Sequence, residues 1–369
     1  MEAERGGEPT TEEISFFTGR RIVQTLVIVL ALLAAVYLLF PSLVGLEDAI
    51  AKLDDAQPAW LLVALGFGVM MFATYVALFR GVVGGDVLPL TWREAYEINM
   101  ASLAATRLFS AGGAGGIVLT YWALRKAGMD TRRSTQRMVM FLALQYTFYP
   151  LAIIVFGVLL RTGVLEGKSN VELTIIPAAI AGVVIFVGVL VALIPHDLER
   201  RIARWAEGYG RAGLAQRLAK GPAAVADGLR KTFDLFGHPS RGGLAVLGAA
   251  GFWASQVAIL WASFRAFGIS VPVAVLVQGF FLGMVANLIP FVPAGVGAVD
   301  AGLIGAFVLF GLPEATVFAA VLIYRLVAFW LPLPPGIAAF FQLRGTVGRW
   351  EREGRPIDRY AAPAVAGGV

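Results

Sequence analysis

The chain carries a succession of apolar stretches, each close to the ~20 residues a helix needs to cross a ~30 Å hydrocarbon layer. Ile22–Phe40 is interrupted only by Gln24 and Thr25; Trp60–Phe79, Arg137–Leu160, Leu173–Ile194, Leu244–Phe264 and Glu314–Leu343 follow. The last is long and is broken near Pro332, Pro334, Pro335 and Gly336. In hydrocarbon every backbone N–H and C=O must be satisfied within the segment, so such stretches read as helices. Composition agrees, with 58% hydrophobic and 15% charged residues and a mean hydropathy of +0.76. Soluble domains carry about 25% charge, so a soluble enzyme, a disordered chain and a fibrous repeat are excluded. No small-residue cleavage site precedes Pro41, so Ile22–Phe40 reads as a span rather than a cleaved signal peptide. The expected fold is an all-α polytopic membrane protein with about six full spans.

Two regions fit the span pattern badly. Thr91–Lys126 holds Glu94, Glu97, Asn99 and Arg107, then the run Ala111–Gly116, and its second arm, Ile117–Leu124, is too short to cross. Val271–Phe310 has two apolar arms around the proline- and glycine-rich stretch 287–297. Proline and glycine interrupt helices, and broken backbone at membrane depth is tolerated only inside protein or along a wet cavity. Each region is read as a broken or re-entrant helical hairpin, with two full spans per region as the competing parse.

Charge orients the chain. With Arg20 and Arg21 on the cytoplasmic side, cytoplasmic segments collect 24 of the 30 lysines and arginines, and the outer side holds Lys52, Arg161, Lys168 and Arg265. A single crossing of the first region would turn 125–133, with four basic residues, outward. The expectation is therefore a multi-pass protein of the cell membrane with both termini cytoplasmic.

The two hairpins also resemble each other. Residues 108–116 align without a gap to 290–298, and each run is followed by an apolar arm, a glycine (Gly128, Gly311) and a span with a tyrosine (Tyr146, Tyr324). Three spans lie between, an odd number, so the hairpins enter from opposite faces. The chain divides into halves 19–161 and 171–344 within one transmembrane domain, 19–344. This inverted repeat is a common transporter architecture. Residues 1–18 read as an acidic disordered leader, the 196–241 loop as amphipathic helices at the cytoplasmic interface, and 345–369 as a cytoplasmic tail.

Cysteine is absent and His196 and His238 are the only histidines, so no metal or other cofactor is expected. A charge inside a span marks a pathway, a pair or a headgroup contact. Arg325 lies in the last span and Asp300 follows the second glycine break. They read either as a site, Arg325 holding a lipid phosphate, or as a structural ion pair. Arg107 at the first hairpin's tip faces a cavity or snorkels. The second arm of each hairpin starts a helix whose free N–H groups suit phosphate, which brings in Gly113, Gly115, Gly295 and Gly297. Close helix packing is the alternative role for these glycines. Asn287 and Tyr324 complete the candidate binding residues, although Asn287, Gln145, Tyr146, Tyr121, Gln256 and Tyr324 also suit interhelical hydrogen bonds. Trp60, Trp92, Trp253, Trp261 and Trp330 read as belt or lipid-facing residues. No P-loop or dinucleotide fingerprint is present.

The segment Asn287–Asp300, with Gly311 and Ile323–Leu326, resembles the lysylphosphatidylglycerol synthase/flippase transmembrane-domain family. The family pattern falls on Pro290, Pro293, Gly295, Gly297, Asp300, Gly311, Tyr324 and Arg325. Ala294 departs from the first glycine of the pattern and Asp300 from its glutamate, which shortens the carboxylate's reach. The resemblance covers most of Ile22–Arg344. It implies a lipid-translocating module without the soluble synthase domain, and membrane lipids with anionic or phosphate headgroups as partners. The expected function is flippase-like transport by alternating access rather than catalysis. An enzyme acting on a lipid-linked substrate and a non-transporting scaffold are the alternatives.

Overall fold

The computed structural model describes residues 53–84, 90–108, 114–193, 226–235, 237, 239–288 and 297–353. The acidic leader, Ile22–Phe40, the glycines Gly113 and Gly295, most of the 196–241 loop and the end of the tail lie outside the described residues.

All regular structure among the described residues is helical. In chain order, α1 is Pro58–Val83, α2 Trp92–Leu108, α3 Ala114–Lys126, α4 Thr131–Arg161 and α5 Val171–Ala192. After a short helix over 226–235, α6 is Pro239–Ala266, α7 Val273–Met284, α8 Ala298–Leu309, α9 Glu314–Arg325 and α10 Leu333–Arg352. Pro58 starts α1 where its missing N–H costs nothing. Asp130 caps α4 by accepting from the Arg133 backbone N–H at 3.0 Å.

Among the described residues, five helical stretches are long and apolar enough to cross a membrane, the last being Glu314–Arg352 taken as one. The hairpin arms are not. α3 has 13 residues and α8 has 12, which at 1.5 Å per residue is ~20 Å or less. The same holds for the 12 residues of α7, continued by a 3₁₀ turn over Val285–Leu288. Among the described residues neither arm of the second region is long enough to cross, as the hairpin reading expects.

The two hairpin exits close alike. Gly128 has φ +100° and Gly311 φ +93°. The Gly128 N–H donates to Arg125 O and the Met129 N–H to Leu124 O, at 3.1 and 3.0 Å. The Gly311 N–H donates to Val308 O and the Leu312 N–H to Phe307 O, at 2.8 and 3.1 Å. Both are Schellman closures that need a left-handed residue, and α4 and α9 begin the same distance beyond each glycine. Since α4, α5 and α6 run between the hairpins, the two open toward opposite faces.

Equivalent helices α1 and α6 pack along the centre. A Cβ on Gly81 would stand 2.5 Å from Ala245 N, and one on Gly248 2.4 Å from Leu78 N, so the backbones touch as small-residue membrane interfaces require. The outer pairings are exchanged between halves: α4 packs on α7 and α10 on α2. The α10–α2 contact is polar at its end. The Trp350 indole N–H donates to Glu94 Oε1 at 2.9 Å, and the Thr346 hydroxyl to Glu97 Oε2 at 2.6 Å. Both carboxylates are buried. Each hydrophobic core accordingly draws on both halves.

Candidate functional site

The site grows from the break in the last span. Pro332 has no N–H, and neither do Pro334 and Pro335, so the turn before them loses donors. The chain responds with a π-helical turn over Leu326–Trp330, in which the Leu331 N–H reaches back to Leu326 O at 2.9 Å. The carbonyls of Ala328 and Phe329 are left to an outside donor. Arg107, in the last turn of α2, supplies it, donating from Nη2 to Ala328 O at 2.9 Å and from Nη1 to Phe329 O. The first hairpin is thereby tied to the break in the last span.

On the other side stands Arg325, the last residue of α9 and only 6% exposed. Its Nε lies 2.8 Å from Asp300 Oδ1. Asp300 is the third residue of α8, where a carboxylate can turn back onto the helix start. Its Oδ2 accepts from the Gly297 N–H at 2.9 Å, and Gly297 adopts φ +79° to begin the helix. Asp300 therefore fixes the second hairpin's exit and neutralises Arg325 at once, despite its reach being shorter than a glutamate's.

Both guanidinium groups lie against one ring. Phe329 has Arg107 Cζ 4.8 Å and Arg325 Cζ 4.5 Å from its centroid, a favourable cation–π placement. The cluster thus holds two cations and one carboxylate. It forms one wall of a largely apolar cavity of about 330 Å³ with polar groups set into it, a size that suits a small ligand. Lining residues come from both hairpins and from the spans between: Asn99, Ser102, Thr106 and Arg107 of α2, Gly116 and Thr120 of α3, Gln145, Tyr146 and Tyr149 of α4, Gln256 of α6, Asn287 after α7, and Tyr324 and Arg325 of α9. Asn99 is 3% exposed, and its amide nitrogen has no hydrogen-bond partner among the described residues.

Of the residues expected from sequence, Arg107, Asn287, Tyr324 and Arg325 line this cavity, and Asp300 and Gly297 stand directly behind Arg325. Arg107 faces the cavity rather than snorkelling. Arg325 and Asp300 form the ion pair. Gly115 occupies the first turn of α3, where its neighbour Gly116 makes the close approach: a Cβ there would stand 2.0 Å from Thr106 Oγ1. Gly113 and Gly295 are outside the described residues. The Tyr324 hydroxyl donates to Gln256 Oε1 at 2.6 Å, one of the expected interhelical bonds.

Trp253 corrects its expectation. It is 4% exposed, not lipid-facing, and its N–H donates to Gln145 O at 2.8 Å. The reason is aromatic packing against Tyr149, Phe252 and Phe281 at 4.7, 5.0 and 5.5 Å. Trp92 is half exposed beside Arg80, as a belt residue is. Sequence reasoning missed the π turn and Phe329. The signal was the proline group, which removes amide donors and so calls for a side chain such as Arg107.

Two inverted halves, each with a broken hairpin, meeting at buried arginines define a polytopic membrane protein of inverted-repeat type. The chain belongs to the family described as the lysylphosphatidylglycerol synthase TM region, whose model matches residues 23–336. It is similar to a "UPF0104 membrane protein" of Methanothermobacter thermautotrophicus, 24% identical over 327 residues that cover 84% of this chain and 92% of the relative. Shorter matches to proteins of that description in the same organism are 27% identical over 79 residues, covering 21% of this chain and 24% of the relative, and 30% identical over 89, covering 24% and 25%.

Proposed function

We propose that this protein moves a lipid with a phosphate-bearing headgroup between leaflets by alternating access. The observation that carries the reading is the excess of positive charge at the cavity wall, where Arg107 and Arg325 share the ring of Phe329 and, among the described residues, Asp300 alone offsets them. Unpaired charge at such depth is costly and is retained where it meets an anion. The cavity is bounded by one broken hairpin from each half, the place where inverted-repeat transporters bind their cargo. The headgroup occupies the cavity while the acyl chains stay in lipid, and rocking of one half against the other changes the face to which it opens. The basic surplus on the face of the α4 N-terminus makes that face cytoplasmic, in the cell membrane.

The test is leaflet-resolved movement of headgroup-labelled phospholipid in proteoliposomes. Wild-type protein is expected to speed it, and an Arg325→Ala, Asp300→Ala double variant to return it to the rate of protein-free vesicles. Equal rates for the two proteins overturn the reading. Chemical conversion of the labelled lipid by purified protein, read by mass spectrometry, replaces it with a lipid-linked enzyme.

A further inference from the structure

The same cavity has a second cationic point, toward the N-terminus of α4. Arg137, on the second turn of α4, lines it between Val83 and Phe141. One guanidinium N–H donates to Val82 O at 2.8 Å, near the end of α1. That employs one of five donors, and no carboxylate of the described residues pairs with Arg137.

Its neighbours are differently placed. Arg133 pairs with Asp130 at 3.3 Å, and Arg132 and Arg230 share Asp227 at 3.8 and 2.5 Å. Lys231 meets an amide: its ammonium donates to Gln136 Oε1 at 3.0 Å, while Gln136 Nε2 donates to Asp227 Oδ2 at 3.2 Å. Gln136 thus locks the 226–235 helix onto α4 and sets Lys231 close to Arg137. Desolvation by its surroundings, and next the charge of Arg137, hold the Lys231 ammonium below its usual pKa against the opposing pull of Asp227. Neither Arg137 nor Lys231 has a carboxylate in ion-pair contact among the described residues, Asp227 reaching Lys231 only through Gln136, and two adjacent cations so placed mark a place that an anion stabilises.

The cavity is not sealed on this side. Ile117 of α3 and Tyr146 of α4 line it and are 44% and 38% accessible. A headgroup entering between these helices would keep its chains outside.

We propose that Arg137, backed by Lys231, is a loading station that takes the lipid phosphate at the basic mouth of the cavity before it reaches Arg107 and Arg325. This deepens the transport reading and rests on it for the onward step. Loading itself does not require that step.

The chain has no cysteine, so single thiols report each station cleanly. Met138→Cys lies at the mouth and Thr106→Cys at the depth; both residues line the cavity. The full-length protein, in phosphatidylcholine nanodiscs with or without phosphatidylglycerol, is timed for alkylation by a small maleimide. Phosphatidylglycerol is expected to protect both thiols. Arg137→Gln with Lys231→Gln is expected to raise the lipid concentration for half-protection at Met138→Cys about tenfold, with Arg137→Lys restoring it. Because Arg137→Gln also removes the bond to Val82, Lys231→Gln alone provides a smaller change in the same direction without touching α1.

Unchanged protection at the mouth in both variants overturns the loading station and leaves the transport reading intact. Protection at the mouth with none at Thr106→Cys supports the station and defeats the transport reading. Glycerol phosphate in the buffer is expected not to compete at millimolar concentration; displacement of phosphatidylglycerol by it assigns the station to soluble phosphate and overturns the lipid.

Discussion

Asp300 has two duties, one on each oxygen, and they separate under mutation. Asp300→Asn keeps an oxygen for the Gly297 N–H but leaves Arg325 buried without a counter-ion. Removing one partner of a buried pair costs about 3–5 kcal/mol, whereas replacing both with apolar residues is often neutral. Arg325→Met and Asp300→Asn are each expected to lower the midpoint of thermal unfolding in detergent. Arg325→Met with Asp300→Leu should recover most of that loss, while every one of these variants loses lipid movement. Arg107→Gln is expected to destabilise by about 2 kcal/mol, because the carbonyls of Ala328 and Phe329 lose their donors; the same unfolding measurement checks it. Arg325 and Asp300 were legible in the sequence because charge in an apolar run has few explanations. Phe329 was not, since an aromatic beside Trp330 looks like any lipid-facing pair until two guanidinium groups are found against its ring. Asn99 was hidden likewise: one amide among apolar neighbours says nothing of which way it faces.

At the level of elements, each hairpin is closed by contact between backbones. A Cβ on Gly116 would stand 2.5 Å from Ser102 O, and one on Gly283 2.6 Å from the Leu303 Cα. Neither neighbour can yield, because both are main chain. Gly116→Val and Gly283→Val are expected to fall sharply in stability and to elute as broadened or aggregated species on size exclusion. Gly305→Ala, with nothing within 4 Å, should remain at or slightly above wild type, since alanine is the better helix former. The hairpins were readable from Ala111–Gly116 and from Pro290, Pro293 and the glycines that follow, because proline and glycine disfavour a continuous helix, although Gly115 and Gly116 themselves fall in the first turn of α3. The end of α10 was not. Residues 349–352 read as polar tail, and only the fold reveals that Trp350 is buried with its N–H on Glu94. A tertiary partner 256 positions away leaves no local periodicity to detect.

For the molecule as a whole, the repeat makes a topological statement that thiol chemistry can read. The first hairpin hands the chain to α4 and the second to α9, on opposite faces. Thr131→Cys and Glu314→Cys, both at exposed positions, are expected to react with a membrane-impermeant maleimide from opposite sides of right-side-out vesicles. Labelling of both from one side overturns the inverted arrangement. The two halves are also interlocked, with α10 on α2 and α4 on α7, so relative motion of the halves must slide these contacts. The symmetry itself was written in the match of 108–116 to 290–298 and in the shared order of arm, glycine and tyrosine-bearing span after each. The exchange of outer helices was not, because composition fixes which faces are apolar and leaves their partners open.

A π turn contains one surplus residue relative to the regular helix. Reabsorbing the surplus at Leu326–Trp330 would rotate the preceding segment by about 100° and advance it by about 1.5 Å. Arg325 would then leave Asp300 while Arg107 lost its hold on the carbonyls. The last span therefore carries in its own main chain a one-residue ratchet, with a latch from each half of the protein.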